Sequence, residues 1–378
     1  MTGRPSPGGG ASRVAHLINT AEVGGGAEHL IRLARGLEAH GWGSAVLVGR
    51  GGPAVARLRA AGATVEIVGP LGPTAPFGLA RRLTALKPAL VHLHGSRAGL
   101  LGAWAARAAR IRPVIYTAHM FSFRRRLPPG LRWAAARAES LTASLVDSVI
   151  CVSESDRAEA IARGLSPARL VVVPNGIEIE RFPAASDRRA ELDIASGAPV
   201  IGMVGRLVSQ KDPLTFARMA CRVAEAAPTA RFLVVGDGPL KATLENEARA
   251  LTAGRRLIVT GFRDDVPELL ATMDVVVFPS LWEAQGIALI EAMAAARAVV
   301  ATALPAHAEA IVDGESGLLV PLRDPARLAA AILELLADPE RRAALGRSAR
   351  SRSEQRYRVE RMIEETAAVY RAVRAAGA

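Results

Sequence analysis

Two glutamates eight positions apart, Glu283 and Glu291, sit in the surroundings that most invite chemistry in this chain. They belong to the stretch FPSLWEAQGIALIEAMAAARAVVA, Phe278 to Ala301. There an apolar run ends at Pro279-Ser280, a short loop carries Glu283, and helical spacing begins near Gln285-Gly286-Ile287 and passes Glu291 to about Ala296. A helix starting at that glycine turns its free backbone N–H groups and positive dipole end toward the loop, a ready site for a phosphate. One carboxylate can then accept hydrogen bonds from a sugar and the other from ribose hydroxyls. Two glutamates at this spacing are ordinarily a solvated helix face; the strand end and the helix start around them favour a ligand site.

A second group lies in GMVGRLVSQKDP, Gly202 to Pro213. An apolar run ends at Gly205, Arg206 and Lys211 flank the loop that follows, and Asp212-Pro213 opens the next helix. Two cations at the carboxyl end of a strand can neutralise a diphosphate and stabilise it as it departs, the electrostatic role a divalent metal fills elsewhere. The chain has no Asp-x-Asp pair, which fits chemistry with no metal and no cofactor. The competing reading is a surface turn carrying basic residues.

Near the start, Gly24-Gly25-Gly26-Ala27-Glu28 follows an apolar run and precedes a helical pattern. Such a loop lets backbone approach a ligand closely. It lacks the third glycine of a dinucleotide fingerprint, as does Gly236-Asp237-Gly238-Pro239, so neither supports a hydride-transfer enzyme. His119 closes the run PVIYTAH and is expected to point into a cleft, toward a sugar or an acceptor. His94, which ends VHLHG, reads as structural. Pro174-Asn175-Gly176 reads as a tight turn at a hinge, with Asn175 near enough to touch a ligand.

The elements that must position these residues repeat one theme: a short apolar run, a turn, then a helical pattern. VAHLINT, GSAVLVG, ATVEIVG, ALVHLHG, PVIYTAH, SVICVS and LVVVP form one series. PVIGMVGRL, ARFLVVGDG, RRLIVTG, VVVFPS, AVVATA and GLLVP form a second. The alternation predicts two doubly wound parallel sheets, an α/β fold of two Rossmann-like halves, with ligands at the carboxyl ends of the strands in an interdomain crevice. Residues 14–182 are the expected first domain and 183–354 the second, with Glu178 to Pro199 as linker. A helix over about 355–376 is expected to pack back on the first domain. Residues 1–13, rich in Gly, Pro and Ser, read as a disordered tail rather than a signal peptide.

The chain has 378 residues, enough for two domains that each bury a proper core. Half of them are apolar and only 4% aromatic, as in helices packed on parallel sheets. No run of about 18 apolar residues occurs, so a cytoplasmic protein is expected. Cys151 and Cys221 stand far apart in apolar contexts and read as small buried hydrophobes. The net charge of +12 suits phosphorylated ligands, anionic lipid or nucleic acid, and equally an arginine-rich composition. No basic–aromatic motif supports nucleic acid. The arginines around LPPGLRW (Arg124, Arg125, Arg126, Arg132) suggest attachment to an anionic membrane surface, peripheral on the inner face.

The ordered combination of GGAE at Gly25, GRLVSQKD at Gly205, GDGPL at Gly236, GFRDDVPELL at Gly261, the Glu283–Glu291 block and DGESGLLV at Asp313 resembles glycosyltransferase family 4. It spans about Val14 to Arg371. The resemblance implies the two-Rossmann GT-B fold and a retaining glycosyltransferase that uses a nucleotide-diphosphate sugar as donor and a glycan or lipid-linked acceptor, in cell-envelope or polysaccharide assembly. It implies that Arg206 and Lys211 bind the donor diphosphate, Glu291 the ribose and Glu283 the transferred sugar. It further implies that the Gln285, Gly286 and Ile287 backbone contacts sugar or phosphate, and that the Gly25-Gly26 loop closes over the diphosphate. His119 would face the sugar, and Arg263 to Val266 would lie beside the base. Retention is expected by same-face attack assisted by the departing phosphate. The family commonly has Gly-Phe-Gly where this chain has Ala284-Gln285-Gly286. It has a Gly-Gly pair where Pro305-Ala306 stands, and Ala-x-Gly-x-Pro-Val where Ala294 to Val299 stands. These departures leave the donor sugar open, and a non-catalytic sugar-nucleotide-binding relative is the alternative reading.

Overall fold

The computed structural model describes residues 11–22, 24–124, 126–250 and 256–377. Among these, thirteen strands form two all-parallel sheets. The first sheet holds β1 (Ser12–Thr20), β2 (Trp42–Arg50), β3 (Thr64–Ile67), β4 (Leu90–His94), β5 (Val114–Thr117), β6 (Ser148–Cys151) and β7 (Leu170–Val172). The second holds β8 (Val200–Val204), β9 (Arg231–Val235), β10 (Leu257–Gly261), β11 (Val275–Phe278), β12 (Ala298–Thr302) and β13 (Leu318–Val320). Each apolar run of the sequence is one of these strands. The spatial orders are β3-β2-β1-β4-β5-β6-β7 and β10-β9-β8-β11-β12-β13. Both reverse direction once, between β1 and β4 and between β8 and β11. That reversal opens a gap between the crossover helices at the strand ends, where ligands of doubly wound sheets bind.

The strands are near-continuous Val, Ile and Leu because helices cover both faces of each sheet. In the first, Gly25–Leu37 and the C-terminal helix Val359–Gly377 cover one face, with Leu33, Leu37, Met362 and Tyr370 buried against Val14, Leu90 and Ile115. In the second, helix Pro213–Ala226 buries Phe216, Met219 and Val223 under β8 and β9. Helix Ile287–Ala294 fills the opposite side.

The chain divides into two compact units, residues 1–176 with 359–378, and residues 177–358. The division falls after Gly176 rather than after residue 182. The expected linker, Glu178 to Pro199, is part of the second unit, because Ile179, Phe182 and Ile194 are buried in its core. Polar composition and two prolines disguised three apolar anchors. The single helix expected over 355–376 is broken: one helix ends at Arg356, Tyr357 packs into the second unit, and the next helix begins at Val359 as part of the first. Ser12 and Arg13, expected in a tail, begin β1; the rest of that tail, up to residue 10, lies outside the described residues. Cys151 and Cys221 are buried and unbridged.

Candidate functional site

In the second unit the loops after β8 and β11, the strands at the reversal point, carry the chemistry. The loop after β8 is laced to its neighbours by backbone bonds from Gly205 N to Val235 O (3.0 Å) and from Leu207 N to Asp237 O (2.9 Å). Gly236 is required here. Its φ is +145°, and a Cβ would lie 2.0 Å from Gly205 O. The loop then turns at Asp212, whose carboxylate caps the helix Pro213–Ala226 by accepting from Thr215 N (3.4 Å) and Thr215 Oγ1 (2.8 Å).

This brings Lys211 onto Glu283. Lys211 Nζ donates to Glu283 Oε1 at 2.5 Å, Ser280 Oγ donates to the same oxygen at 2.9 Å, and Gln210 Nε2 donates to Oε2 at 3.1 Å. Gln210 also ties the two loops together, donating to Trp282 O (3.1 Å) while its own carbonyl accepts from Leu281 N (2.8 Å). Glu283 is only 6% exposed. Burial pushes its carboxyl up, but the charge of Lys211, the field of His307 and the bonds from Lys211 and Ser280 outweigh burial and hold it below the usual carboxylate range. The group is therefore an anchored carboxylate at neutral pH.

Helix Ile287–Ala294 begins where the sequence placed it and ends two residues sooner than expected. Its N-cap is Gly286 at φ +88°, a left-handed conformation that favours glycine, and no side chain caps it. Its first N–H groups and dipole thus face the Glu283 loop. Gln285, in the loop just before the N-cap, is buried, and Glu291, on the second turn, is half-buried. Arg206 is exposed after β8, with no side-chain partner among the described residues. Val266 opens the helix Val266–Thr272, and the adjoining Arg263 is held by Asp265 (2.7 and 2.6 Å) and Glu191 (2.6 Å).

Sequence reasoning passed over two groups here. Gln210 lies inside the GRLVSQKD motif, but only the folded loops show that it joins both strand ends. His307 stands where the family commonly has a different loop. It is buried, donates from Nδ1 to Thr302 O (2.8 Å), and leaves Nε2 toward Gly286, where a Cβ would sit 3.9 Å away. Burial, and then the charge of Lys211, lower its pKa against the opposing pull of Glu283 and the Thr302 bond.

In the first unit, Gly25 and Gly26 open the helix Gly25–Leu37. His119 does not close β5 as expected. The strand ends at Thr117, and His119 lies beyond it at φ +55°, stacked on His94 with Nε2 3.2 Å from His94 Nδ1. Around it stand His29, His94, His16 and His92, so five of the chain's seven histidines form one group. Strand register explains the sheet members: His16 pairs with His92 and Ile18 with His94, so all three histidines point to one face. His92 bonds Tyr370 Oη (2.6 Å) and Thr117 Oγ1 (2.7 Å), and His29 Nδ1 bonds Asn175 Oδ1 (2.9 Å). Burial lowers all five pKa values, to about 3 for His16 and about 4 for His29, so the group is neutral at pH 7. Asn175, read as a turn residue, is a buried partner of that group.

Two doubly wound parallel sheets, of seven and six strands, are the two Rossmann-like units of the GT-B fold. The family model described as Glycosyltransferase Family 4 matches residues 23–181, and that described as Glycosyl transferases group 1 matches residues 185–352. The chain belongs to glycosyltransferase family 4. It is 31% identical over 243 residues to the UDP-Gal:alpha-D-GlcNAc-diphosphoundecaprenol alpha-1,3-galactosyltransferase of Escherichia coli, covering 62% of this chain and 63% of that one. It is 30% identical to the putative glycosyltransferase EpsD of Bacillus subtilis (strain 168), covering 75% and 76%. Among solved structures, Anabaena HepE in complex with UDP and glucose superimposes with a TM-score of 0.84 at 24% identity, covering 96% of this chain and all of that one (100%).

Proposed function

We propose that this chain is a retaining glycosyltransferase that moves a sugar from a nucleotide-diphosphate donor to a hydroxyl of a glycan or lipid-linked acceptor, in cell-envelope or polysaccharide assembly. The observation that carries this reading is the buried Lys211–Glu283 pair, held at 2.5 Å between the two strand ends of the reversal point and beside the uncapped helix at Gly286. A diphosphate placed at that helix end meets free N–H groups, and Arg206 and Lys211 neutralise its growing charge as the sugar leaves. Lys211 then serves both anions, so donor phosphate and Glu283 share one cation. Glu283, kept ionised, accepts hydrogen bonds from the transferred sugar, while Glu291 takes the ribose hydroxyls. Gln285, Gly286 and Ile287 offer backbone to sugar and phosphate, and Val266 lies with the base. Within the first unit, the Gly25-Gly26 loop is assigned to a diphosphate and His119 to a sugar by the family resemblance alone. The departing phosphate takes the acceptor proton on the face it leaves, which keeps the anomeric configuration and needs no metal or other cofactor.

The donor is found by a panel of sugar nucleotides in thermal shift, because a ligand that binds only the folded state raises the melting temperature. One donor is expected to stabilise the protein and to be turned over; no stabilisation by any member of the panel would overturn the reading.

The acceptor side of this proposal includes a membrane. No helix among the described residues is long and apolar enough to cross one, and we propose peripheral binding on the cytoplasmic face. On helix Pro129–Leu145, Leu131 is 60% and Trp133 69% exposed, next to the exposed Arg132. An amphipathic surface of this kind suits anionic lipid. Arg124 does not belong to it, being buried against Asp156 and Glu159; Arg126 is exposed, and Arg125 lies outside the described residues. Sedimentation with anionic and with neutral liposomes is the test. Binding to anionic vesicles that Trp133→Glu removes is expected, and equal, negligible binding to both rejects it.

A further inference from the structure

We propose that His307 reads the donor sugar: its Nε2 accepts a hydrogen bond from a hydroxyl of the transferred sugar, and so selects a neutral sugar with free hydroxyls. The inference rests on the donor site proposed above. Where the family commonly has a Gly-Gly pair, Pro305-Ala306 starts a short helix, Pro305–Ala310, soon after β12. Its first turn brings His307 back to the strand end, where ring Nδ1 meets Thr302 O at 2.8 Å. Thr302 in turn donates from Oγ1 to Ser280 O at 2.6 Å, and Ser280 Oγ donates to Glu283 Oε1 at 2.9 Å. His307 and Glu283 are thus fixed in one frame, at the ends of the paired strands β12 and β11.

The Thr302 bond decides what the other ring nitrogen can do. A carbonyl oxygen only accepts, so Nδ1 carries the proton and the neutral ring keeps its lone pair on Nε2. Burial, and then the charge of Lys211, keep the ring neutral at pH 7. The residue is 1% exposed, and Nε2 has no hydrogen-bond partner among the described residues. A buried acceptor left unpaired costs stability, and a ligand that donates to it removes that cost. Gly286 covers it with backbone alone: a Cβ there would stand 3.9 Å from Nε2, and Gly286 is itself only partly buried. The lone pair therefore faces the N-cap of helix Ile287–Ala294, where the donor is proposed to sit.

The chemistry of the lone pair selects its partner. The phosphates of a nucleotide-diphosphate sugar are ionised at neutral pH and only accept, as does the ionised Glu283, so neither can pair with Nε2. A sugar hydroxyl can donate. Glu283 and His307 then meet the sugar as two acceptors, one charged and one neutral, near enough for each to shift the other's titration. They suit a sugar that offers two free hydroxyls. A deoxy sugar leaves one acceptor unpaired, and a sugar carboxylate turned toward them is repelled.

The test uses the full chain and the donor found by the sugar-nucleotide panel, together with that donor's monodeoxy analogues. In the parent, at least two deoxygenations, one for each acceptor, should each lower kcat/KM by about tenfold or more. His307→Asn keeps an amide N–H near the place of Nδ1 for Thr302 O and removes Nε2. It should melt close to the parent and lose about tenfold in kcat/KM for the intact donor. It should also become indifferent to one of the two deoxygenations while still penalising the other. His307→Gln, whose amide reaches the place of Nε2, should keep discrimination at both positions. Affinity for the sugar-free nucleoside diphosphate, measured by calorimetry, should be the same in parent and His307→Asn. Parental kcat/KM in folded His307→Asn overturns the inference, as does an equal loss of affinity for the sugar-free diphosphate. A parent indifferent to deoxygenation at all positions but one also overturns it, and that readout decides the matter if His307→Asn does not fold. A protein that binds no sugar nucleotide overturns the donor site and this inference with it, whereas a donor turned over equally well by His307→Asn overturns this inference alone.

Discussion

Replacing Lys211 with Met removes the ammonium that donates to Glu283 and leaves the carboxylate in place, 6% exposed. Breaking a buried ion pair on one side costs about 3–5 kcal/mol, chiefly because the remaining charge is stranded. Ser280 and Gln210 still donate to Glu283, which puts the expected loss near the lower end, about 3 kcal/mol. For a unit of this size that is a fall of roughly 6–12 °C in its melting temperature. The pH dependence distinguishes a stranded charge from lost packing. In the parent protein the pKa of Glu283 lies below its ordinary value of 4.5. Its contribution to stability is therefore fully present above that value and is lost as pH falls through the folded pKa. Without Lys211, burial dominates and drives the pKa above the ordinary value, so the carboxyl takes up a proton on mild acidification and its penalty disappears. Urea denaturation at pH 8 and pH 5 should show a large gap between parent and variant at the higher pH and a small one at the lower. Adding Glu283→Gln should recover most of the loss at pH 8, because an amide needs no counter-ion. A loss below about 1 kcal/mol at pH 8, a gap independent of pH, or a double variant no better than the single would refute the argument.

Three further outcomes are expected. Glu283→Gln alone should abolish turnover of the donor identified by the panel while the protein stays folded; turnover at the parental rate removes Glu283 from the mechanism. Gly286→Ala places a Cβ on a residue at φ +88° and should cost about 1–2 kcal/mol in denaturation, with weaker donor binding by calorimetry as the helix start shifts. Tyr370→Phe leaves His92 Nδ1 without its 2.6 Å partner and should cost about 1–3 kcal/mol. The loss should show as earlier hydrogen exchange in the helix Val359–Gly377.

The alternation of apolar runs and helical patterns was enough to read thirteen strands and two parallel sheets, because strands buried on both faces must be apolar throughout and the turns between them are marked by Gly and Pro. Glu283, Lys211 and the glycine-started helix were legible for a related reason: residues that follow a strand in such a sheet stand at its ligand edge. The division of the chain was less legible. Ile179, Phe182 and Ile194 look like scattered apolar residues in a polar segment until the second core closes over them. The break at Tyr357 is hidden in the same way, since helix-forming composition continues across it.

Only the tertiary structure decided who touches whom. The sequence assigned Lys211 to a phosphate and Glu283 to a sugar. Folding sets the two 2.5 Å apart, adds Gln210 as the tie between their loops, and puts His307 under Gly286. The five histidines lie as far apart as positions 16 and 119, and no spacing rule joins them. Parallel register brings His16, His92 and His94 to one face, and a helix and a turn supply His29 and His119. Local patterns fix where each strand begins and which way its side chains alternate, because those follow from neighbours in the chain. Contacts across 70 or more residues follow from strand order and crossover packing, which no local pattern encodes.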